Sequence, residues 1–446
     1  MDSSQSNPEV EAPPALSDGE KRLSTGWVLL GCLFALMILT AVTETFSDKS
    51  RGQSSKESGL TVQATNILRL SGNKWTDPTK QVVQVRETIL EDGVVTAQES
   101  RILRSIEAAL KMPATEKAQA RLQSSWLPGD QVVSAITSQS LAKEPNAELL
   151  KAITPVLPTS DPTYRLAVVV SRTLSGEPDA QKQILDGPWK RSIGVVIAGI
   201  LGLAFGIVCL VSFVFYRSQG SFAPAGWPTV ATTKLEADHL ALRAFILLFA
   251  FLGSGMIPLD YMPLRFAVFF AIVIAGLVMP IQGARLDLKQ FFGKFRWTDP
   301  GKGLLGEFTS LPLIFVAIGV TALLSRFLPE AAHPGSDELA SNPSVKVMIS
   351  FFLLAVIQAP IVEEIIFRGM IAPAISRFSK PWTAIAISGF LFAAIHPQGI
   401  AGWPPLFVVG CSAAYLTYHS KSLWPAIFLH AFHNGGLFVL NLMINS

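Results

Sequence analysis

Long uninterrupted apolar stretches are the feature that most constrains how this chain can fold. The sequence of 446 residues is 50% hydrophobic and only 15% charged, and its apolar residues collect into blocks rather than spreading as they do in a soluble core. A block of about 20 apolar residues can cross a bilayer as a helix. About nine such blocks are predicted, at residues 25–43, 193–216, 240–258, 264–283, 304–328, 347–378, 382–397, 404–418 and 423–443. The predicted fold class is therefore all-α, a polytopic helical membrane protein with about nine spans.

Polar segments between these blocks divide the chain into predicted domains. Residues 1–24 are rich in Pro, Ser and Glu and lack aromatic residues, so we predict a disordered tail there. The block at 25–43 has no small-residue cleavage site at its end, which indicates an uncleaved signal-anchor helix. Residues 191–344 are predicted to form additional transmembrane helices. Residues 345–446 form the remaining membrane segment and carry most of the ionisable groups at membrane depth.

Residues 44–190 differ from the rest of the chain, because they are polar, charged and free of any apolar block of spanning length. Ile102, Leu103 and Ile106 recur at helical spacing, and prolines separate this run from similar short runs. We therefore predict a soluble domain made of short helices. It contains neither His nor Cys, so nothing in it has the spacing of a catalytic site. A protein partner, a substrate or the exterior could be what this domain recognises.

The charge distribution excludes one class of partner and predicts an orientation. The net charge of +3 is small, and the basic residues form no patch with interleaved aromatic residues, so nucleic acid is not an expected partner. The loop at 282–302 is basic, whereas the loop at 329–342 holds acids and no Lys or Arg. By the positive-inside rule the first loop is cytoplasmic and the second is external. Alternation then predicts a cytoplasmic amino terminus and an extracytoplasmic 44–190 domain.

Two adjacent carboxylates lie inside one of the apolar blocks. Glu363 and Glu364 belong to the stretch 347–375, and Arg368 follows the second of them by four residues. An ionisable group at membrane depth costs at least a few kcal/mol, so such groups are retained where partners or a function hold them. A functional role is therefore the first hypothesis for this pair.

The position of a helical hairpin brings a histidine to the level of Glu363. The break at 379–381 separates two apolar segments, and Glu363 precedes Lys380 by 17 residues while His396 follows it by 16. At about 1.5 Å per residue, both lie roughly 25 Å along their helices from the turn. Glu363 and His396 are therefore predicted to face each other. Phe392, one helical turn before His396, is predicted to line the same cavity.

Two further pairs have the spacing of neighbours on one helical face. Glu364 and Arg368 are separated by four residues, with the acid on the amino-terminal side, which is the favoured order for an ion pair. His430 and Asn434 have the same spacing on the last apolar segment. Because adjacent helical residues project about 100° apart, Arg368 can neutralise Glu364 while Glu363 points toward the histidines.

A carboxylate, two imidazoles and an amide around a buried cavity are the parts needed to hydrolyse an acyl bond. Glu363 could take a proton from water, His396 could orient that water or protonate the leaving amine, and His430 with Asn434 could bind the oxyanion. The same residues could instead bind zinc, with Glu363, His396 and His430 as three ligands and water as the fourth. Spacing alone leaves both alternatives open.

Three motifs in this part of the chain resemble a known family. They are Glu363-Glu364-Ile-Ile-Phe-Arg368, Phe392-Ala-Ala-Ile-His396 and His430-Ala-Phe-His-Asn434. In this order they closely resemble the signature motifs of the CPBP intramembrane protease family, which includes the type II CAAX prenyl endopeptidases. The resemblance covers about residues 345–443 and identifies 345–446 as a protease core of this type. It does not extend to residues 44–190.

The resemblance implies peptide-bond hydrolysis within the membrane. Glu363 matches the glutamate that activates water, His396 matches its partner, and His430 and Asn434 match the oxyanion or metal side. The family name implies a metalloprotease, whereas a glutamate mechanism without metal is the alternative. The implied substrate is a membrane-associated or prenylated peptide or protein, and the implied location is the lipid bilayer of a bacterial plasma membrane. A transporter with a buried Glu and His relay, or a non-catalytic immunity or scaffold protein, remains an alternative.

Other ionisable residues are given structural interpretations. His419 is expected to be solvated in a loop, and Glu307 and Arg243 are expected to extend toward the membrane surface from the starts of their spans. His433 could share a helical face with His430, but the family pattern does not include it.

Overall fold

The structure is a computed structural model that describes most of the chain. The described residues are 25–47, 60–61, 63–65, 67–68, 78–91, 95–158, 162–177, 180–219, 225–254, 262–281, 284–325, 327–328 and 345–445. Within these ranges the regular structure is helical, and the only extended pairing is an isolated bridge between Ile281 and Ala284. The all-α prediction is therefore confirmed for the described residues. The tail predicted at 1–24 lies outside them.

The helices are numbered here in chain order. They are α1 Thr25–Ser47, α2 Thr79–Leu90, α3 Ala97–Ala109, α4 Glu116–Gln123, α5 Pro128–Ser138, α6 Ala147–Ile153, α7 Pro162–Leu174, α8 Ala180–Ser218, α9 Lys234–Ser254, α10 Met262–Val278, α11 Leu288–Phe292, α12 Asp299–Leu324, α13 Val345–Phe352, α14 Ala359–Ile366, α15 Ala372–Ser376, α16 Pro381–Ala394, α17 Gly399–Ser420 and α18 Trp424–Asn445. Two π-helical segments, Leu353–Gln358 and Phe367–Ile371, lie on either side of α14.

The chain divides into two compact units. The first comprises residues 1–48, 200–331 and 349–438, and the second comprises 49–199, 332–348 and 439–446. The second unit contains most of the predicted 44–190 domain. The predicted segments 191–344 and 345–446 both contribute helices to the first unit.

The second unit has its own apolar core. Ile102, Leu103 and Ile106 are fully buried in it, on the helix α3 that their spacing predicts. This helix begins with a capping box, in which the Thr96 side chain accepts a hydrogen bond from the Glu99 backbone N–H and the Glu99 carboxylate accepts one from the Thr96 N–H. The box satisfies two N–H groups that the first turn would otherwise leave unpaired.

A buried carboxylate ties α2, α3 and the start of α4 together in the same unit. Glu107 accepts hydrogen bonds from Arg86 at 2.8 Å and from Arg104 at 2.7 Å, and the Thr115 backbone N–H donates to it at 3.1 Å. Two guanidinium groups and a backbone donor therefore compensate the burial of this charge.

A tyrosine in the second unit shows the effect of burial on an ionisable group. The Tyr164 hydroxyl donates to Asp130 at 2.8 Å, and the Arg101 guanidinium lies 4.2 Å from the centre of its ring. Burial raises the pKa of Tyr164 to about 12, although the nearby Arg101 charge opposes the shift. Tyr164 is therefore neutral at physiological pH and links α7 to α5.

Six helical segments are long and apolar enough to cross a membrane, judged by length and composition within the described residues. They are 25–43, 194–218, 299–324, 348–376, 399–420 and 424–443. Apolar helices at 266–278 and 381–394 are shorter, and α9 carries four charged residues in its first half. These three helices account for the difference from the predicted nine spans, so that number is not confirmed. The six segments fit an integral membrane protein.

Small residues allow the helices of the first unit to approach closely. A Cβ atom on Gly389 of α16 would lie 2.6 Å from the Cys411 sulfur of α17, and one on Gly303 of α12 would lie 2.6 Å from the Phe428 Cβ of α18. Real Cβ atoms are not found at such distances, so glycine is required at both positions. Close packing through small residues is typical of membrane helices.

Replacing Glu107 with alanine is expected to destabilise the second unit. Arg104 is almost fully buried and would lose its carboxylate partner, and breaking a buried pair costs about 3–5 kcal/mol. Hydrogen exchange of peptides from α2 to α4 measures the change. Glu116→Ala, an exposed acid in the first turn of α4, is the matched control and should leave exchange nearly unchanged. Equal exchange in Glu107→Ala and wild type would contradict this account.

Candidate active site

The two adjacent glutamates lie on α14 between the two π-helical segments. Pro360 and Pro373 follow those segments, and a proline has no N–H to donate to the carbonyl one turn earlier. Near the first proline, the Ala359 N–H bonds to the Leu354 carbonyl in the i to i+5 pattern of a π-helix. In the same pattern, the Ala355 carbonyl would accept from the N–H of residue 360. That residue is a proline without an N–H, so the Ala355 carbonyl needs another partner. π-Helical turns often occur at functional sites.

Asn434 supplies that partner. Its side-chain Nδ2 donates a hydrogen bond to the Ala355 carbonyl at 2.8 Å, which satisfies the acceptor that Pro360 leaves free. An amide nitrogen has two hydrogens, so one N–H of Asn434 remains for another acceptor. The structure therefore gives Asn434 a role in holding the π-helical turn, in addition to the oxyanion role predicted from its spacing.

Glu364 is the centre of a buried hydrogen-bond network. Its Oε1 atom accepts from Arg368 Nη1 at 2.8 Å and from His430 Nδ1 at 3.0 Å. Arg368, in the π-helical segment after α14, also donates to the Gly410 carbonyl of α17 at 2.7 Å. The predicted ion pair between Glu364 and Arg368 is confirmed. The contact between Glu364 and His430 was not predicted, because the sequence analysis directed His430 toward Glu363.

Hydrogen bonds at Nδ1 orient both imidazoles. His430 donates from Nδ1 to Glu364, whose charge Arg368 balances, and His396 donates from Nδ1 to the Phe392 carbonyl at 2.7 Å. A carbonyl and a carboxylate only accept, so in the neutral imidazoles the Nε2 atoms carry the free lone pairs. Each Nε2 atom lies 3.8 Å from Oε2 of Glu363. The structure thus brings Glu363, His396 and His430 together.

The space between these three residues requires a proton donor. Oε2 of Glu363 is buried and has no hydrogen-bond partner among the described residues, and the two Nε2 atoms facing it are acceptors as well. A separation of 3.8 Å is too long for a direct hydrogen bond. A bridging water could donate to the carboxylate and to one imidazole, and it would satisfy two of these three acceptors.

Phe392 forms an apolar wall of the same site. Its ring centre lies 4.7 Å from that of His396 and 5.4 Å from that of His430. The Arg368 guanidinium lies over the same ring at 4.6 Å. An apolar wall lowers the local dielectric constant and strengthens the electrostatic interactions of the polar groups beside it.

The predicted zinc ligands have suitable chemistry but not the spacing of a formed site. Three acceptors face one another, as zinc would require. Ligand atoms around tetrahedral zinc are separated by roughly 3.4 Å, less than the 3.8 Å seen here. Within the described residues, no group of three or more His, Cys, Asp or Glu side chains has the arrangement needed to hold a metal ion.

Other sequence-based assignments for ionisable residues differ from the structure. His419 lies in the last turn of α17 with its ring centre 4.1 Å from that of Tyr415, so the prediction of a solvated loop residue is wrong. Arg243 is 1% exposed and donates to the carbonyls of Gly276 and Ala284. It therefore stabilises a turn between helices and does not extend to the membrane surface.

Glu307 forms a second contact between a carboxylate and an imidazole. His433 Nδ1 lies 3.0 Å from Glu307 Oε1, and both side chains are 12% exposed. This pair could not be predicted from the sequence, since no spacing rule relates positions on α12 and α18. The glycines that precede Glu307 in the sequence, Gly303 and Gly306, are the one local feature that indicates close packing of α12 against another helix.

Comparison with known proteins supports a family assignment for the carboxyl-terminal part of the chain. Residues 345–436 match the family model described as Rce1-like, type II CAAX prenyl endopeptidase Rce1-like. The match covers all three motifs and confirms the resemblance to CPBP intramembrane proteases over this segment. It supports a protease at the level of the family. No curated protein matches the chain. No solved structure matches it either.

Replacing Arg368 with leucine is expected to destabilise the first unit. Glu364 would become a buried carboxylate without its cation, which costs about 3–5 kcal/mol. Thermal unfolding of the purified protein in detergent measures the loss. Arg296→Leu, which removes an exposed arginine from the loop before α12, is the matched control and should unfold like wild type. Equal unfolding temperatures for Arg368→Leu and wild type would show that Glu364 does not depend on this cation.

Proposed function

We propose that this protein is an intramembrane endopeptidase that hydrolyses peptide bonds of membrane-associated substrates with a water molecule activated by Glu363. The observation that carries the proposal is the convergence of Glu363 Oε2 with the Nε2 atoms of His396 and His430, each at 3.8 Å. The match of residues 345–436 to a family of prenyl endopeptidases supports the same reaction class.

The proposed reaction begins with water bound between Glu363 and the two imidazoles. Glu363 accepts a proton from this water as its oxygen attacks the substrate carbonyl carbon. The second hydrogen of this water is accepted by the Nε2 lone pair of His396 or of His430, and each imidazole is held in turn at Nδ1. The free N–H of Asn434 could donate to the developing oxyanion. Glu364 and Arg368 act as positioning residues, because they orient His430 without touching the substrate.

Zinc is the alternative cofactor. If bound, it would be held by Glu363, His396 and His430 and would polarise the substrate carbonyl and the water. The proposed steps run through the side chains of this chain alone.

The proposed substrates are peptides or proteins that enter the bilayer. The matched family is described by its action on prenylated CAAX proteins, which makes a prenylated peptide a suitable first substrate. A transporter would need Glu363 and the histidines to move protons across the bilayer, and a scaffold or immunity protein would need no reaction at all. Cleavage by the purified protein separates these alternatives from the proposed one.

Replacing Glu363 tests the proposal directly. Glu363→Ala and Glu363→Gln remove the base and should lower cleavage of a prenylated or membrane-anchored peptide by about 10²-fold or more. The measurement is peptide cleavage by the purified protein, followed by mass spectrometry. His419→Gln, which changes a histidine away from the site, should cleave like wild type.

The same assay distinguishes the two cofactor alternatives. Undiminished activity with a strong chelator, together with no bound metal by elemental analysis, is the result expected for water activated by glutamate alone. Loss of activity that zinc restores would instead favour the zinc alternative. Equal cleavage by wild type and Glu363→Ala would refute the protease proposal and favour a scaffold or transporter.

We also propose an arrangement in the bacterial plasma membrane. The segment 25–43 is a signal anchor, the amino terminus and the loop 282–302 are cytoplasmic, and the 44–190 domain is extracytoplasmic, where it could bind a protein partner. The basic residues of the loop and the positive-inside rule support this orientation. The six long apolar segments and the helices α9, α10 and α16 would together give nine spans if all of them cross the bilayer.

Two exposed tryptophans allow a test of this orientation. Trp126 lies in the 44–190 domain and is 86% exposed, and Trp297 lies in the basic loop and is 91% exposed. Replaced singly by cysteine in a background without the native cysteines, Trp126→Cys should react with an impermeant maleimide in intact cells. Trp297→Cys should react only after permeabilisation. The reverse pattern would invert the proposed orientation.

A further inference from the structure

Glu307 and His433 form a carboxylate–imidazole pair that the hydrolytic mechanism above leaves unused. Glu307 lies on α12, outside the residues matched by the family model, and His433 lies on α18 between His430 and Asn434 of the third motif. The two motif histidines and His433 each have an Nδ1 atom engaged by an oxygen, at distances of 2.7–3.0 Å. His433 is therefore held in the same manner as the histidines of the candidate site.

Helix packing explains why these two side chains meet. The Leu423 N–H, just before α18, bonds to the Phe292 carbonyl at 3.0 Å, which brings the chain preceding α12 to the start of α18. Gly303 lies against Phe428, and Gly306 lies against Leu429. One turn further along each helix, Glu307 and His433 come into contact at 3.0 Å. The close approach of the two helices at these glycines therefore determines how near Glu307 and His433 come and where along the helices they meet.

The two carboxylate–imidazole pairs on α18 differ in charge balance. Glu364 accepts from both His430 and Arg368, so Arg368 balances its charge. Within the described part of the chain, the charge partner of Glu307 is His433. An uncompensated carboxylate at membrane depth is costly, and His433 is the group in contact with Glu307 that could carry a balancing charge.

His433 lies on the same helix as a residue of the candidate site. It follows His430 by three residues on α18, and such neighbours on a helix have Cβ atoms about 5–6 Å apart. Its Nδ1 atom faces Glu307, so Nε2 is the atom left to exchange a proton.

On the basis of the proposed function, we propose that His433, held by Glu307, donates the proton that the leaving amine needs when the peptide bond breaks. The oxygen of the attacking water forms a bond to the carbonyl carbon, and Glu363 takes one proton from that water. As the carbon–nitrogen bond breaks, the nitrogen takes a proton from Nε2 of His433. The proton on Glu363 then returns to His433 through water in the cavity, which restores both groups. The net reaction adds one water across one peptide bond.

A change of leaving group separates this role from a structural one. Two substrates with the same peptide sequence are compared, one with a scissile amide and one with a scissile thioester. A thiol has a pKa of about 8.5 and leaves as a thiolate without protonation, whereas an amine must be protonated. A residue that protonates the leaving group is therefore needed for the amide substrate alone.

His433→Gln is the informative variant, because glutamine can still donate to Glu307 but has no proton to transfer. In the purified full-length protein, its kcat for the amide should fall by about 10²-fold, while its kcat for the thioester should stay within about threefold of wild type. Glu307→Gln, which removes the negative charge beside His433, should lower the amide rate by a smaller factor of about 10. His419→Gln is the matched control and should cleave both substrates like wild type.

Two results would overturn this assignment. Equal losses for amide and thioester in His433→Gln would indicate a structural role, and wild-type rates for both would indicate no role. Glu363→Ala in the same assay should abolish cleavage of both substrates. Wild-type rates in Glu363→Ala would count against the proposed hydrolytic function itself, so the two failures are distinguishable.

Discussion

The buried interaction of Glu364 with Arg368 and His430 is the contact on which the arrangement of the candidate site depends. Both Glu364 and Arg368 are fully buried, and neither charge could remain at this depth alone. Arg368 joins the π-helical segment after α14 to α17 through the Gly410 carbonyl, and Glu364 joins α14 to α18 through His430. One carboxylate therefore connects three helices, and it also determines which nitrogen of His430 is free to face Glu363.

Prolines explain why this network forms on an irregular helix. Pro360, at the start of α14, and Pro373, at the start of α15, each remove a backbone donor, and a π-helical segment precedes each of these two helices. The cost of the first proline is offset by Asn434, which donates to the carbonyl left without a partner. Asn434 therefore links the conformation of the helix carrying Glu363 to the helix carrying His430.

Much of the candidate site could be predicted from the sequence, because its parts follow local rules. The distance from the hairpin turn places Glu363 opposite His396, and the spacing of four residues pairs Glu364 with Arg368. The contact of Glu364 with His430 could not be predicted in this way, since the π-helical turns alter the regular angle between side chains. The membrane spans were less predictable, because α16 ends at Ala394 and is shorter than its apolar block.

The two carboxylate–imidazole pairs on α18 show how charge balance can give similar residues different chemistry. The carboxylate beside His430 already has Arg368 as its cation, and the Nε2 atom of His430 faces Glu363. The carboxylate beside His433 has that histidine as its charge partner within the described residues. Under the proposed mechanism, α18 would thus present a hydrogen-bond acceptor and a proton donor three residues apart. The difference arises from partners on other helices, such as Arg368 and Glu307, and local sequence cannot reveal it.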